Sequence, residues 1–540
     1  MRENKPHKSN SSSRSPYPRW LAALVAVCTL AAVGCSSAEE TTADAESLFV
    51  DAAESESARS SAPAEVAEDS ATDSEAGLFT ESPEPSPERL EANAFTNYGV
   101  RPFVSTDQDN LSTFALDVDT GSYVVARRWL TEGVLPPADS VRVEEYLNAF
   151  DYAYDAPRSG LSISVDGGPS PFVADNVLVR VGVQAERVAD AERPNAALTF
   201  VIDTSGSMDR DDRLGLVKDA LAELVDELDD DDTVAIAIYD DSSTVILEPT
   251  PAREERAILS AINDLRPGGS TNLQSGLETG YALAEEAFIE GGINRVILAS
   301  DGVANAGIVD PERLSEDITN RAIGGIQLIA VGFGMGNYND TTMEQLANRG
   351  DGFYAYVDTR DEAERLFEDD LAATAETIAR DARIQVEFDS DTVEAYRLIG
   401  FENRGVLDQD FDNVDVDAGE LFSGHSVTAI YELELVDGLS GRDDLGEIAL
   451  RWQDPASFEW AETDADIEFR DITAQWSEVD PSLQLATTVA VWAEVLRESQ
   501  FAQEIDLDNV AAEAERLADE FDTDDVDQFA ELVARSAGLS

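Results

Sequence analysis

The sequence is poor in lysine, histidine and cysteine. Only Lys5, Lys8 and Lys218 join the arginines in a set of 37 basic residues, against 111 acidic ones, and the formal charge over 540 residues is −74. Such a charge repels phosphate backbones, which excludes nucleic acid as a partner. The acidity itself reads as a solvated surface suited to a saline environment. His7 and His425 are the only histidines, too few for a histidine-built zinc centre. "SGHSV" around His425 is not a nucleophile motif, and a turn-to-strand hydrogen bond is the better account of it. The chain is therefore expected not to be an enzyme. Cysteine occurs only at Cys28 and Cys35. Cys28 lies inside the leader described next, so no internal disulfide is expected in the mature chain.

Arg2, Lys5, Lys8, Arg14 and Arg19 form a basic leader ahead of "WLAALVAVCTLAAVG", a short apolar run that ends in small residues. Residues 1–34 thus read as a secretory signal, too short for an ordinary membrane span. The junction "AAVGC", followed by "SSAEE", resembles a bacterial lipobox, in which the cysteine is lipidated and becomes the new N-terminus. Ala32 stands where that pattern usually has leucine. Lipidation of Cys35 is the expectation, and ordinary cleavage with a free thiol is the alternative. From residue 35 to 96 the chain is dominated by Ala, Ser, Glu, Asp and Pro and has few large apolar side chains. It cannot bury enough surface to offset its ordering entropy. A flexible tether of this length has an end-to-end distance of about 40 Å.

"STFALDVDTGSYVVARRWL" turns from strand-like alternation to a helical pattern, and "SVRVEEYLNAFDY" reads as a second helix. Two strands follow within 161–188. A regular alternation then begins: "ALTFVIDTS", "DTVAIAIYD", "NRVILASDG" and "IQLIAVGFG" as apolar strands, with "RLGLVKDALAELVDEL", "EERAILSAINDL" and "LQSGLETGYALAEEAF" as amphipathic helices between them. "GFYAYVD" reads as a short strand and "DEAERLFEDDLAATAETIA" as a closing helix. This order predicts a parallel sheet covered on both faces, with its site beyond the carboxyl ends of the strands. Asp203, Ser205 and Ser207 follow one strand in "DTSGS", Asp301 follows another in "LASDG", and Thr271 lies in the glycine-rich "PGGSTNL". Carboxylate and hydroxyl oxygens suit a hard divalent cation. Two carboxylates leave such an ion under-neutralised, with a coordination position open to an acidic group from another molecule. Elsewhere, "DQDFDNVDVDAGE" misses the EF-hand positions, and "GFGMGNYND" lacks the Lys-Ser/Thr of a P-loop.

The DxSxS motif at 203–207, with a later threonine and aspartate, resembles the metal-ion-dependent adhesion site (MIDAS) of the von Willebrand factor type A (vWA) domain. The resemblance implies direct metal contacts from Ser205, Ser207 and Thr271, with Asp203 and Asp301 acting through water. Mg²⁺ is the implied ion, with Ca²⁺ or Mn²⁺ as alternatives. The flanking stretches "LSTFALDVDTGSYVVARRWL" and "IQVEFDSDTVEAYRLIGFENR" extend the similarity, over about 97–540, to bacterial vWA lipoproteins with N- and C-terminal flanking regions.

The expected fold class is α/β: a vWA-type, doubly wound, mostly parallel sheet with helices on both faces. It is inserted in or flanked by a β-sandwich and followed by a C-terminal helical segment. The divisions are 1–34 signal peptide, 35–96 acidic tether and 97–160 N-terminal flanking region. Strands contributing to the sandwich follow at 161–192, then the vWA domain at 193–380, a β-rich flanking domain at 381–475 and C-terminal helices at 476–540. The expected function is metal-dependent capture of a protein ligand presenting Asp or Glu. It would operate at the extracytoplasmic face of the bacterial cell envelope, on a membrane reached through the N-terminal lipid. The alternatives are an assembly or maintenance factor with an architectural metal and, last, a metal-dependent hydrolase.

Overall fold

The computed structural model describes residues 95–172, 176–189, 193–301, 311–334, 340–366, 376–414, 416 and 418–540. The leader, the tether up to residue 94 and Cys35 lie outside the described residues. The chain enters through β1 (Val104–Ser105), β2 (Leu111–Ala115), helix α1 (Gly121–Thr131) and helix α2 (Val143–Asn148), then forms the hairpin β3 (Leu161–Pro169) and β4 (Val177–Ala185).

The next segment alternates strand and helix: β5 (Ala196–Asp203), α3 (Leu216–Glu227), β6 (Thr233–Tyr239), β7 (Ser243–Pro251), α4 (Glu255–Asn263), α5 (Leu273–Ala287), β8 (Ile293–Ser300), α6 (Pro311–Ile323), β9 (Gln327–Phe333), α7 (Asp340–Arg349), β10 (Tyr354–Val357) and α8 (Arg360–Glu364). Its six strands form one sheet in the order β10-β9-β8-β5-β6-β7, parallel except for the antiparallel edge strand β7. All eight residues of β5 are buried. That is why this strand reads as a continuous apolar run rather than an alternation.

The remainder forms β11 (Thr377–Phe388), β12 (Val393–Ile399), β13 (Gly419–Phe422), β14 (Ser426–Leu435), β15 (Asp444–Gln453) and β16 (Trp460–Glu468), then α9 (Pro481–Leu496), α10 (Leu507–Phe521) and α11 (Asp524–Leu539). One sheet runs β1-β12-β14-β4-β3, and the other runs β13-β11-β15-β16 with β2 also on β11. Strands from before and after the α/β segment therefore share sheets. β4 pairs with β14 from Val177↔Leu433 to Gln184↔Ser426. The sheets enclose a core of Val179, Val181, Val183, Ile384, Val386, Tyr431 and Leu450. The opposite side of β4 and β14, with Leu178 and Ile430, joins a second core containing residues of α2 and α9.

The closing helix expected over 361–379 does not reach its predicted end. Thr377 to Ala379 already belong to β11, where Thr377 pairs with Phe422 and Ile378 is buried. β-branched Thr377 and Ile378 lose little in an extended backbone, and pairing with β13 outweighs the local helical pattern. Three carbonyls of the acidic stretch after β12, those of Asp410, Asn413 and Val416, turn towards an internal cation. The Arg383 guanidinium, completely buried, donates to the backbone oxygens of Asp410 (3.2 Å), Asn413 (2.8 Å) and Val416 (2.7 Å).

Helix α9 is buried on nearly every side, as expected of a helix with apolar residues all round. Its Trp492 meets Tyr123, Tyr146 and Phe529 edge-on and donates to the Ser536 hydroxyl at 2.9 Å. One continuous core runs from this aromatic group through α1 and α2 to Val201, Leu298 and Tyr354 of the six-stranded sheet. The α/β segment is thus packed against its flanks. Among the described residues, no helix is long and apolar enough to cross a membrane.

Candidate metal centre

The chain passes from β5 to β6 on one side of the six-stranded sheet and returns at β8 on the other side of β5. The strand order therefore reverses between β5 and β8, which opens a crevice outside their carboxyl ends. Asp203 is the last residue of β5, and Asp301 directly follows β8. Both are completely buried. Helix α5 lies close behind: a Cβ at Gly280 would stand 2.1 Å from Cγ2 of Val201, so only glycine permits this approach. The Asn272 side chain caps that helix by accepting from the Ser275 amide at 3.2 Å.

Within the crevice, Oδ1 of Asp203 accepts from the Ser205 amide at 2.8 Å, and Oδ2 accepts from the Ser300 hydroxyl at 3.2 Å. The hydroxyls of Ser205 and Ser207 lie 2.9 Å apart. Arg213 donates through Nη1 to the Ser207 carbonyl at 3.0 Å and to Oδ2 of Asp301. Oδ1 of Asp301 is buried with no hydrogen-bond partner among the described residues. The glycine-rich loop is joined to this group by its backbone: Gly206 donates to the Gly269 carbonyl at 3.1 Å, and Gly268 donates to that of Thr204 at 2.7 Å. Thr271 follows two residues later and is half-buried, beside Ser270, whose amide and hydroxyl both donate to Asp241. The structure thus brings Asp203, Ser205 and Ser207 together by direct contacts, Asp301 through the Arg213 bridge, and Thr271 through the backbone of its loop.

Burial pushes the Asp203 carboxyl up to about 6. The Ser205 amide opposes that shift and the charge on Asp301 adds to it. The Tyr239 hydroxyl, buried at the end of β6, is pushed well above its ordinary range by burial and by these two aspartates. A buried carboxylate oxygen with no partner among the described residues, in one crevice with two hydroxyls, suits a small hard cation, which pairs with oxygen and relieves the like-charge repulsion. Among the described residues, no group of three or more His, Cys, Asp or Glu side chains is placed to hold a metal. Here the serine and threonine hydroxyls would have to complete a set containing two carboxylates.

Arg213, Ser300 and Tyr239 were not singled out from the sequence. Ser300 could have been found, because it ends the strand that presents Asp301. Arg213 could not, because its reach into the crevice depends on the π-helical turn Asp211–Gly215 ahead of α3. His425 sits away from the crevice, edge-on to Phe353 and Phe422. Burial and the nearby Arg295 charge push its imidazole down to about 4. Its backbone carbonyl accepts from the Ala185 amide at 2.9 Å, a bond that does not involve the imidazole.

Residues 197–369 match the von Willebrand factor type A domain, and residues 89–180 match a model described as von Willebrand factor. Residues 373–539 match the C-terminal region of the uncharacterized protein YfbK. The chain therefore carries a vWA domain, set between flanking regions with matches of their own. It is 38% identical over 350 residues to uncharacterized protein YfbK of Escherichia coli K12, which covers 63% of this chain and 61% of that protein. It is also 31% identical over 183 residues to human inter-alpha-trypsin inhibitor heavy chain H3, covering 32% of this chain and 19% of that one. These matches thus leave more than a third of each relative's length unmatched. Among solved structures, a von Willebrand factor type A protein from Catenulispora acidiphila aligns at a TM-score of 0.40 with 16% identity, over 67% of this chain and 87% of that one.

Proposed function

We propose that this chain is a membrane-anchored, metal-dependent protein-binding protein of the bacterial cell envelope. A vWA domain is a protein-interaction module of the adhesion type. The observation that carries the finer reading is Oδ1 of Asp301, buried with no hydrogen-bond partner among the described residues, in the crevice that also holds the paired hydroxyls of Ser205 and Ser207. Asp203, Ser205, Ser207, Thr271 and Asp301 would hold Mg²⁺, or Ca²⁺ or Mn²⁺ in its place. The ion would supply a positive centre for an Asp or Glu side chain of the partner. Lipid on Cys35 would fix the chain to the extracytoplasmic face of a membrane. No catalytic step is assigned to any residue.

The test uses Cys35→Ala in the full chain. This variant is expected to leave the membrane fraction. As bait in an envelope extract, it is expected to retain a partner in Mg²⁺ and to release it in EDTA at matched ionic strength. Persistence in carbonate-washed membranes would refute the anchor. A second reading, an assembly factor with an architectural metal, is favoured by the continuous core that joins the vWA domain to its flanks. Retention of the same partner in both Mg²⁺ and EDTA would select it.

A further inference from the structure

Arg213 places a positive charge inside the crevice. Its side chain is 5% exposed, and Nη1 bridges the Ser207 carbonyl and Oδ2 of Asp301. Two separate elements are shaped for it. The chain ahead of α3 makes a π-helical turn over Asp211–Gly215, a form that recurs at functional positions in helices. At the end of β9, Gly334 has φ +70°, and a Cβ there would lie 2.6 Å from both Cγ and Nε of Arg213. Any side chain at Gly334 would displace the arginine. Asp203 and Asp301 bring two negative charges, and Arg213 cancels one of them.

We propose that Arg213 is a built-in counter-charge that couples the crevice's ion to its external ligand. A divalent ion held among Asp203, Asp301 and Arg213, whose three charges sum to −1, keeps an excess positive charge. It therefore binds modestly alone and more tightly once a carboxylate from another molecule joins it. The guanidinium also holds Asp301 by Oδ2 and leaves Oδ1 for the ion. Without Arg213, both aspartate charges would face the ion, which would bind more tightly and draw an external carboxylate less. This inference rests on the reading of the crevice as a divalent-cation site, and it assigns the site's preference for an anionic ligand to one residue.

The experiment is a Mn²⁺ titration followed by the electron paramagnetic resonance of free Mn²⁺. Full-chain wild type and Arg213→Gln are compared in chloride and in acetate of equal ionic strength, with correction for Mn²⁺–acetate complexes. In chloride, Arg213→Gln is expected to bind Mn²⁺ about tenfold more tightly than wild type. Acetate is expected to tighten Mn²⁺ binding to wild type about threefold or more and to have less effect on the variant. Arg213→Gln binding Mn²⁺ no more tightly than wild type would overturn the proposal and leave the metal site standing. If Arg213→Gln does not fold, the wild-type titration decides alone, and equal affinity in acetate and chloride overturns the proposal. Absence of Mn²⁺ binding in both proteins would overturn the site reading itself.

Discussion

Replacing Arg404 with methionine is expected to cost about 3–5 kcal/mol of stability, because it strands several buried carboxylates at once. The guanidinium pairs with Asp117 and Asp119 at 3.0 Å each and with Glu344 at 3.1 Å. These partners come from the segment before α1 and from α7 of the vWA domain, while Arg404 itself follows β12. Asp119 also accepts from the Tyr354 amide at 2.9 Å, which fastens the flank to β10. Nearby, Arg142 pairs with Glu145 at 2.9 Å and with Glu344 at 3.2 Å. Glu144 accepts from the Phe401 amide at 2.9 Å. Carboxylates outnumber guanidinium groups here. Burial pushes Glu145 up to about 8 and Glu144 up to about 7, and it raises Asp119 well above its usual range. A carboxyl raised in the folded state stabilises below its unfolded value, and that contribution is lost as pH rises to the folded value. The loss in Arg404→Met should therefore be smaller near pH 5 than near pH 8. Chemical denaturation of both proteins at the two pH values measures it. A cost below about 1 kcal/mol, or one independent of pH, would show that the vWA domain is not locked to its flanks through this cluster.

Asp301→Asn should weaken divalent-ion binding roughly 100-fold, at the upper end of what loss of a supporting group costs a metal site. Asparagine keeps the shape and an oxygen for Arg213, but removes one of the two negative charges in the crevice. The remaining Asp203 and Arg213 then sum to zero, and a dication gains little from entering. The fold should persist, because Arg213 still has the Ser207 carbonyl and the strands beneath are held by apolar burial. Isothermal titration with Mn²⁺, beside a circular dichroism melt, separates the two effects. Unchanged affinity would remove Asp301 from the site.

Much of this arrangement was legible because parallel strands buried on both faces leave a plain trace. "ALTFVID" and "RVILAS" are long apolar runs; the first ends in Asp203 and the second is followed directly by Asp301, the two aspartates that the strand order carries to the crevice. The hydroxyl motif lies within five residues of one strand end, so local sequence was sufficient. What could not be read depends on distant pairing. Thr377–Ala379 has a helical pattern and becomes a strand only because β13 lies beside it. Asp117 and Asp119 look like surface acids in so acidic a chain, and nothing local couples them to Arg404, some 285 residues away. Arg213 needed the π-turn and the missing side chain of Gly334 to reach Asp301.

The most direct measurement of the central claim is the melting temperature of wild type and Thr271→Ala with and without Mg²⁺. Ionic strength must be matched, since salt alone screens so acidic a surface. Thr271 lies half-buried in the loop ahead of α5, so without metal the variant should stay within about 1 kcal/mol of wild type. At about one hundred times its dissociation constant, Mg²⁺ should stabilise wild type by about 2.7 kcal/mol. Thr271→Ala should keep less than about half of that gain, because one hydroxyl oxygen has left the ion. A wild-type melting temperature indifferent to Mg²⁺, or an equal rise in both proteins, would contradict a metal site built from Asp203, Ser205, Ser207, Thr271 and Asp301.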